Sequence, residues 1–287
     1  MDQPVKTVEL VDLRLYLPKE WTQDKARLAT AGVPRACWGY RTRHQLALEM
    51  LAATSAALPH RWIAGDDEMG RPSWFRRRLA ALGERYLLAV PSNTMIRDLQ
   101  TEPPAYSGRG RRPQRPWQSV AVWSQGLDEK AWQRVNVRDG SKGPLVVDIV
   151  KRRVVSRTHR RQQGDEEMLV VVRYRDRDQQ QVVKVDYYLS NAAPETPLGE
   201  CARVAKAEHR IEECLQRSKS EAGLADYEVR HWTGWQHHQT LSLLATWFLE
   251  RETQRGKKMD ACNHLAADSP GHRDNLARGV SVRDDIA

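Results

Sequence analysis

Three segments rich in β-branched residues, GPLVVDIVKRRVVSRTH, EEMLVVVRYRD and QQVVKVDYYLS, follow one another with only short polar turns between them. Val, Ile and Tyr suit a pleated, half-buried surface, and runs of this length joined by brief turns pair with their sequence neighbours. They predict an antiparallel meander, and the rest of the chain must pack around it. Upstream, the first hundred residues alternate strand and helix, the pattern of helices layered on a sheet. VELVDLRLYLP reads as a strand closed by Pro18, and 43–58 as an amphipathic helix with Leu46, Met50, Leu51 and Ala53 among its apolar positions. RWIAGD then reads as a short buried strand, 73–82 as a basic helix bearing Arg76, Arg77 and Arg78, and RYLLAV as another strand.

Between these parts, TEPPAYSGRGRRPQRP is too rich in Pro, Gly and Arg for a regular element, and a boundary is expected there. From residue 197 the pattern turns helical, through LGECARVAKAEHRIEECLQRSKSEAG, ended near Gly223, and then WQHHQTLSLLATWFLERETQ. The apolar stretch 241–249 of the second helix reads as core. Periodicity fades after residue 258. The expected parts are therefore an α/β region over 1–100, a linker and β-rich insertion over 101–196, helices over 197–258 and an irregular tail over 259–287.

Lys and Arg outnumber Asp and Glu by 46 to 37, giving a formal charge of +9. That balance suits a polyanionic partner without naming it. Four cysteines, Cys37, Cys201, Cys214 and Cys262, show no CxxC spacing, which argues against a zinc ribbon or a disulfide framework and fits a reducing cytoplasm. No apolar run approaches the roughly 18 residues of a membrane span, and no membrane partner is expected.

Asp66, Asp67 and Glu68 stand where the strand RWIAGD ends, four to two residues before Gly70, the place where an open α/β sheet presents functional side chains. Acids at such a junction also cap the following helix, so the position alone does not choose between the two roles. Glu212 and Glu213 lie inside a predicted helix, and Lys219 follows Glu212 by about two turns on the same face. A solvated helical surface has the same composition. His231, His237 and His238 with Trp232 and Trp235 lack a carboxylate or Cys partner at metal-ligand spacing and read as helix packing.

Taken in order, WIAGDDEMGRPSWFRRRL, RYLLAVPSN and RIEECLQRSKSEAGLADYEVRHWTGWQHHQTLSLLATWFL resemble the bacterial insertion-sequence transposases of the DDE type, over most of residues 5–258. The resemblance implies a ribonuclease H-like α/β core, here partial because its first strands are missing, with an inserted antiparallel β-rich subdomain and carboxy-terminal helices. It implies DNA, specifically transposon terminal inverted repeats, as partner and substrate. It also implies Mg²⁺ or Mn²⁺, held by three carboxylates that support phosphodiester cleavage and strand transfer. Matched motif to motif, Asp66 takes the second carboxylate position and Glu212 the third, with Lys219 and Arg210 on the DNA backbone; Asp67 and Glu68 are the lesser candidates. Ala205 and Glu208 stand where the family carries Tyr and Arg. The first carboxylate would precede the segment holding Asp12, which resembles the third core strand.

A carboxylate-built site weakens as ligands are lost, so the chain alone is expected not to cleave DNA. The other readings are a DNA-binding regulator that poisons dimers, as a homodimer or with full-length transposase, and a decayed reading frame whose product folds poorly. Codons for Met-Asp-Ala-Cys after RGKK permit Trp-Thr-Pro-Ala when read one base later, which is the reading of an out-of-frame tail. Lys151, Arg152, Arg153, Arg160 and Arg161 on the insertion, and the arginines of 109–115, are expected to meet phosphates. Trp117, Trp123 and Trp132 are candidates to stack on a flipped base, with core packing the alternative for each.

Overall fold

Each of the three β-branched segments forms a strand, and the middle one finds apolar cover on both sides. The structure, a computed structural model, describes residues 8–138, 144–158, 162–176 and 180–267. In chain order the elements are α1 (Lys19–Gln23), α2 (Lys25–Thr30), α3 (Arg43–Thr54), β1 (Ile63–Gly65), α4 (Asp67–Gly70), α5 (Ser73–Ala81), β2 (Tyr86–Ala89) and β3 (Met95–Asp98). There follow β4 (Gln118–Ser119), α6 (Val120–Gln125), β5 (Gln133–Arg138), β6 (Leu145–Arg157), β7 (Gln163–Arg175), β8 (Val182–Ser190), α7 (Leu198–Glu221) and α8 (Trp232–Ala267). The chain divides into two compact units, one made of 14–24 and 36–213, the other of 1–13, 25–35 and 214–287.

The first unit holds a sheet of eight strands in the order β1-β2-β8-β7-β6-β3-β4, with β5 also on β6. Only β1 and β2 run parallel. The rest is antiparallel, so this is a mixed α/β fold with a mostly antiparallel sheet. The expected meander is there: Val170 of β7 faces Lys151 of β6 and Tyr188 of β8. It is not a separate layer, however. Strand β8 pairs with β2, Leu88 opposite Leu189, so the insertion and the amino-terminal region share one sheet. The long β6 has two partners on one edge, β5 along its first half and β3 along its second. Residues 101–116 do form an irregular loop, but β3 before it and β4 after it are paired.

Burial follows from this arrangement. Strand β7 is buried from Glu167 to Arg173 because both its faces are covered. Met168, Val170 and Val172 pack with Ile149, Tyr188 and the α7 residues Cys201, Ala202 and Ala205. On the other face Leu169 and Val171 meet Val154, Leu189 and the α6 residues Val120 and Trp123. A third cluster joins Phe75 and Leu79 of α5 to Tyr86 and Leu88 of β2, under Leu48 and Leu51 of α3. Side chains of this size bury about 1.5–3 kcal/mol each.

Three expectations need correction. Residues 8–18 form no strand. Their alternation is real, yet the neighbours of residues 8–13 in the second unit are helices, which offer no ladder. Carbonyls of this segment are met by side chains instead, Leu10 O by Trp247 Nε1 at 2.6 Å and Val8 O by Cys214 Sγ at 3.6 Å. Second, 241–249 is not a core face. Leu241, Leu244 and Phe248 are 66%, 51% and 63% exposed, while Gln239, Ser242 and Thr246 are buried. Burial of these polar groups is tolerated because Gln239 Nε2 donates to Leu224 O and Thr246 Oγ1 to Ser242 O. Third, helix α8 continues through the start of the supposed irregular tail, to Ala267; residues 268–287 lie outside the described residues. The end of α7 is as expected: Gly223 takes φ +65° and Leu224 N donates to Ser218 O, a glycine-terminated helix end.

Candidate functional site

Strand β1 ends at Gly65, and the chain turns at once into the single-turn helix α4, with Asp66 between them. Asp66 is exposed, and its Oδ1 accepts from Met69 N at 3.1 Å, so it caps α4. Capping uses one oxygen and leaves Oδ2 to solvent. The two alternatives weighed for this acid, cap and ligand, are thus compatible in one carboxylate.

Its neighbours are differently engaged. Asp67 pairs with Arg71 at 3.1 Å, and Glu68 takes Arg43 Nη1 on both oxygens at 2.8 and 2.7 Å. His44 Nε2 also reaches Glu68 O at 2.9 Å. Among the described residues Asp67 and Glu68 are each paired with an arginine, whereas the contact given for Asp66 is the Met69 amide.

The turn is pressed into the sheet. A Cβ on Gly70 would lie 1.8 Å from Ala89 O, so only glycine allows β2 so close. Under the turn is Arg76, 3% exposed, whose Nη1 donates to Gly70 O and, at 3.3 Å, to Arg71 O. Its Nε and Nη2 donate to the two oxygens of Glu167 at 2.7 and 3.0 Å, and Nη2 to Ser156 Oγ at 2.8 Å. Tyr86 donates its phenol to Glu167 Oε1 at 2.8 Å. Burial, together with that carboxylate, pushes the Tyr86 phenol far up, so it stays a donor.

Arg76 belongs to the expected basic helix with Arg77 and Arg78, yet it is buried. The signal that separates it is helical: Phe75, Arg76 and Leu79 share the buried side of α5. Glu167 closes the acidic triplet 165–167 directly before the apolar run 168–172, and nothing in that order separates it from its exposed neighbours Asp165 and Glu166.

Glu212, Lys219 and Arg210 all lie on α7. Glu212 and Lys219 are exposed and Arg210 half-buried. Among the described residues no group of three or more His, Cys, Asp or Glu side chains gathers to hold a metal ion. A two-metal centre needs several carboxylates at one place, so the described residues do not by themselves fit one.

The expected phosphate contacts are largely engaged within the protein. Lys151 Nζ donates to the carbonyls of Pro194 and Thr196. Arg152 lies 3.6 Å from Asp98 and over the Trp123 ring, and Arg153 pairs with Glu166. Arg160 and Arg161 lie outside the described residues. The three tryptophans separate as well. Trp123 is buried and donates to Asp98 Oδ2 at 3.0 Å, and Trp132 packs beneath Arg173 at 3.9 Å. Trp117 is half-buried between the guanidiniums of Arg97 and Arg157, at 4.5 and 5.4 Å from its ring centroid. Dense positive charge beside an aromatic face suits single-stranded nucleic acid.

Residues 6–144 match the family model described as DDE superfamily endonuclease. That span includes Asp66 and its turn, Arg76 and Trp117; it ends before β6, Glu167, Glu212 and Lys219. No curated protein matches the chain.

Proposed function

We propose that this chain, which is DDE transposase-like over residues 6–144, acts on DNA in transposition, with Asp66 as a carboxylate of the catalytic site. DNA is the partner that a DDE endonuclease domain implies, and such domains generally use divalent metals. What carries the reading is the turn after β1. Asp66 stands exposed at a strand end on the Met69 amide, while Asp67 and Glu68 are held by arginines. Glu212 is the second carboxylate of this reading, with Lys219 and Arg210 beside it on the DNA backbone. The terminal inverted repeats of an insertion sequence are the proposed substrate, and a homodimer or a full-length transposase the proposed protein partner.

Two carboxylates hold divalent cations less tightly than three. With a formal charge of +9 and no cluster of three carboxylates among the described residues, the chain is expected to bind terminal-repeat DNA in a salt-dependent way and to leave it uncut. A nicking assay with Mg²⁺ or Mn²⁺ tests both parts. Binding that weakens steeply with salt, without nicking, is the expected result. Metal-dependent nicking lost in Asp66→Asn and Glu212→Gln would support the site and overturn the inactivity; absence of DNA binding at low salt would overturn the DNA reading.

A further inference from the structure

Resting on the reading of Asp66 as the site's carboxylate, we propose that Arg76, gripped by Glu167, is a positioning residue that fixes the turn presenting Asp66. The β6–β7 ribbon, which lies beyond the family match, is then part of the site. Helix α4 is a single turn, Asp67–Gly70. One turn of helix has no stability of its own, because nucleation fixes several residues for very few hydrogen bonds. Something tertiary must hold it. Three things do: Arg43 and His44 of α3 on Glu68, the close approach of Gly70 to Ala89, and the Arg76 guanidinium on the carbonyls of Gly70 and Arg71.

The guanidinium is itself held from the far side of the fold. Glu167 lies 91 residues away in sequence and binds Nε and Nη2, Ser156 adds a hydroxyl, and Tyr86 holds Glu167 from β2. Arg76 and Glu167 are buried, with side chains 4% and 6% exposed. Taking two charges out of water costs several kcal/mol each, and an apolar pair of similar volume often does as well for stability. What an apolar pair cannot do is point two donors at the carbonyls of a turn. Retaining the ions here places the α4 carbonyls, and through the Asp66–Met69 cap it places the carboxylate.

A purely structural pair and a positioning pair differ in where their loss is felt. Amide hydrogen exchange on the full chain measures this at Met69, whose N–H the Asp66 carboxylate accepts. Arg76→Met and Glu167→Gln are expected to speed exchange at Met69 and Gly70 by at least about tenfold, well beyond any change in α6. Because a lone buried ion destabilises the whole unit, the double variant Arg76→Met with Glu167→Leu is the sharper test. It should stay folded, with α6 exchanging as in the unaltered chain and Met69 still fast. Met69 exchanging at the unaltered rate in the double variant, or rising only in step with α6, would overturn the positioning role. Mn²⁺ titration of the unaltered chain and Asp66→Asn tests the underlying reading separately. Weaker binding by Asp66→Asn supports it, and equal binding would overturn Asp66 as the site's carboxylate whatever the exchange shows.

Discussion

The two ends of the β6–β7 ribbon each bury a carboxylate among arginines, and they do it in opposite ways. At one end Glu167 meets a single guanidinium, Arg76, with Ser156 and Tyr86 completing the set. At the other, Asp148 of β6 meets three: Arg134 at 3.3 Å, Arg173 at 3.3 Å and Arg175 at 2.5 Å. Glu129 joins from outside, bidentate on Arg173 at 2.8 and 2.7 Å and 3.1 Å from Arg175, although its side chain is 70% exposed. The first network is dry, one to one and tied to a backbone turn. The second is redundant and open to water. The difference teaches that a buried ion pair can serve placement or merely tolerance, and that the number of alternative partners tells which.

Removing one partner exposes that contrast most strongly at the Glu167 end. Glu167→Ala strands the Arg76 guanidinium in the core, and breaking such a pair costs about 3–5 kcal/mol. Chemical denaturation should show a loss of that size, whereas Asp148→Ala, whose arginines keep Glu129 and water, should lose less, about 1–3 kcal/mol. Equal losses at the two ends would break the comparison. Tyr86→Phe comes next: it deletes one neutral donor to a charged acceptor, worth about 1.5–3 kcal/mol, and leaves the Arg76 pairing in place.

Much of this layout was legible from residue types, and the reasons it stopped being legible are physical. The β-branched runs specified β6, β7 and β8, because such segments pair locally. That Asp66 stands at a strand end was legible from RWIAGD before Gly70, which needs no knowledge of the rest of the fold. Residues 8–18 misled because alternation specifies an extended chain, while a strand also needs a neighbouring edge. The short β3 and β4 were invisible, since their pairing depends on the second half of β6. In α8 the apolar stripe Leu241, Leu244 and Phe248 was expected inside, but helical period says only that a stripe exists, not which side is covered. The Arg76–Glu167 contact spans two distant segments, so only three-dimensional packing could join them.

Acid probes the Asp148 end. Burial pushes the Asp148 carboxyl up, but its hydrogen bonds to Arg175 and Arg134 outweigh that and hold it below the usual carboxylate range. A depressed pKa means that the unfolded chain binds more protons than the fold as pH falls, so stability rises with pH in that window. The Asp148 contribution is complete above about pH 4 and is lost as pH falls through the lower, folded value. Thermal unfolding followed from about pH 5 to 2.5 should show a steeper acid loss in the unaltered chain than in Asp148→Asn. Parallel curves would remove Asp148 from the account of acid stability.

The smallest effect is expected at Glu129, and it probes the redundancy itself. Hydrogen bonding from Arg173 holds its carboxyl low, yet the group is exposed, and exposed ion pairs are screened by water and salt. Glu129→Gln should therefore lower the melting temperature only slightly, and the difference should vanish as salt is raised. Arg173 would still have Asp148 and the Trp132 face, where its guanidinium sits 3.9 Å from the ring centroid. A large, salt-resistant loss would mean that Glu129 neutralises the cluster as Glu167 does Arg76, and the distinction between a placing network and a tolerant one would fail at its weakest member.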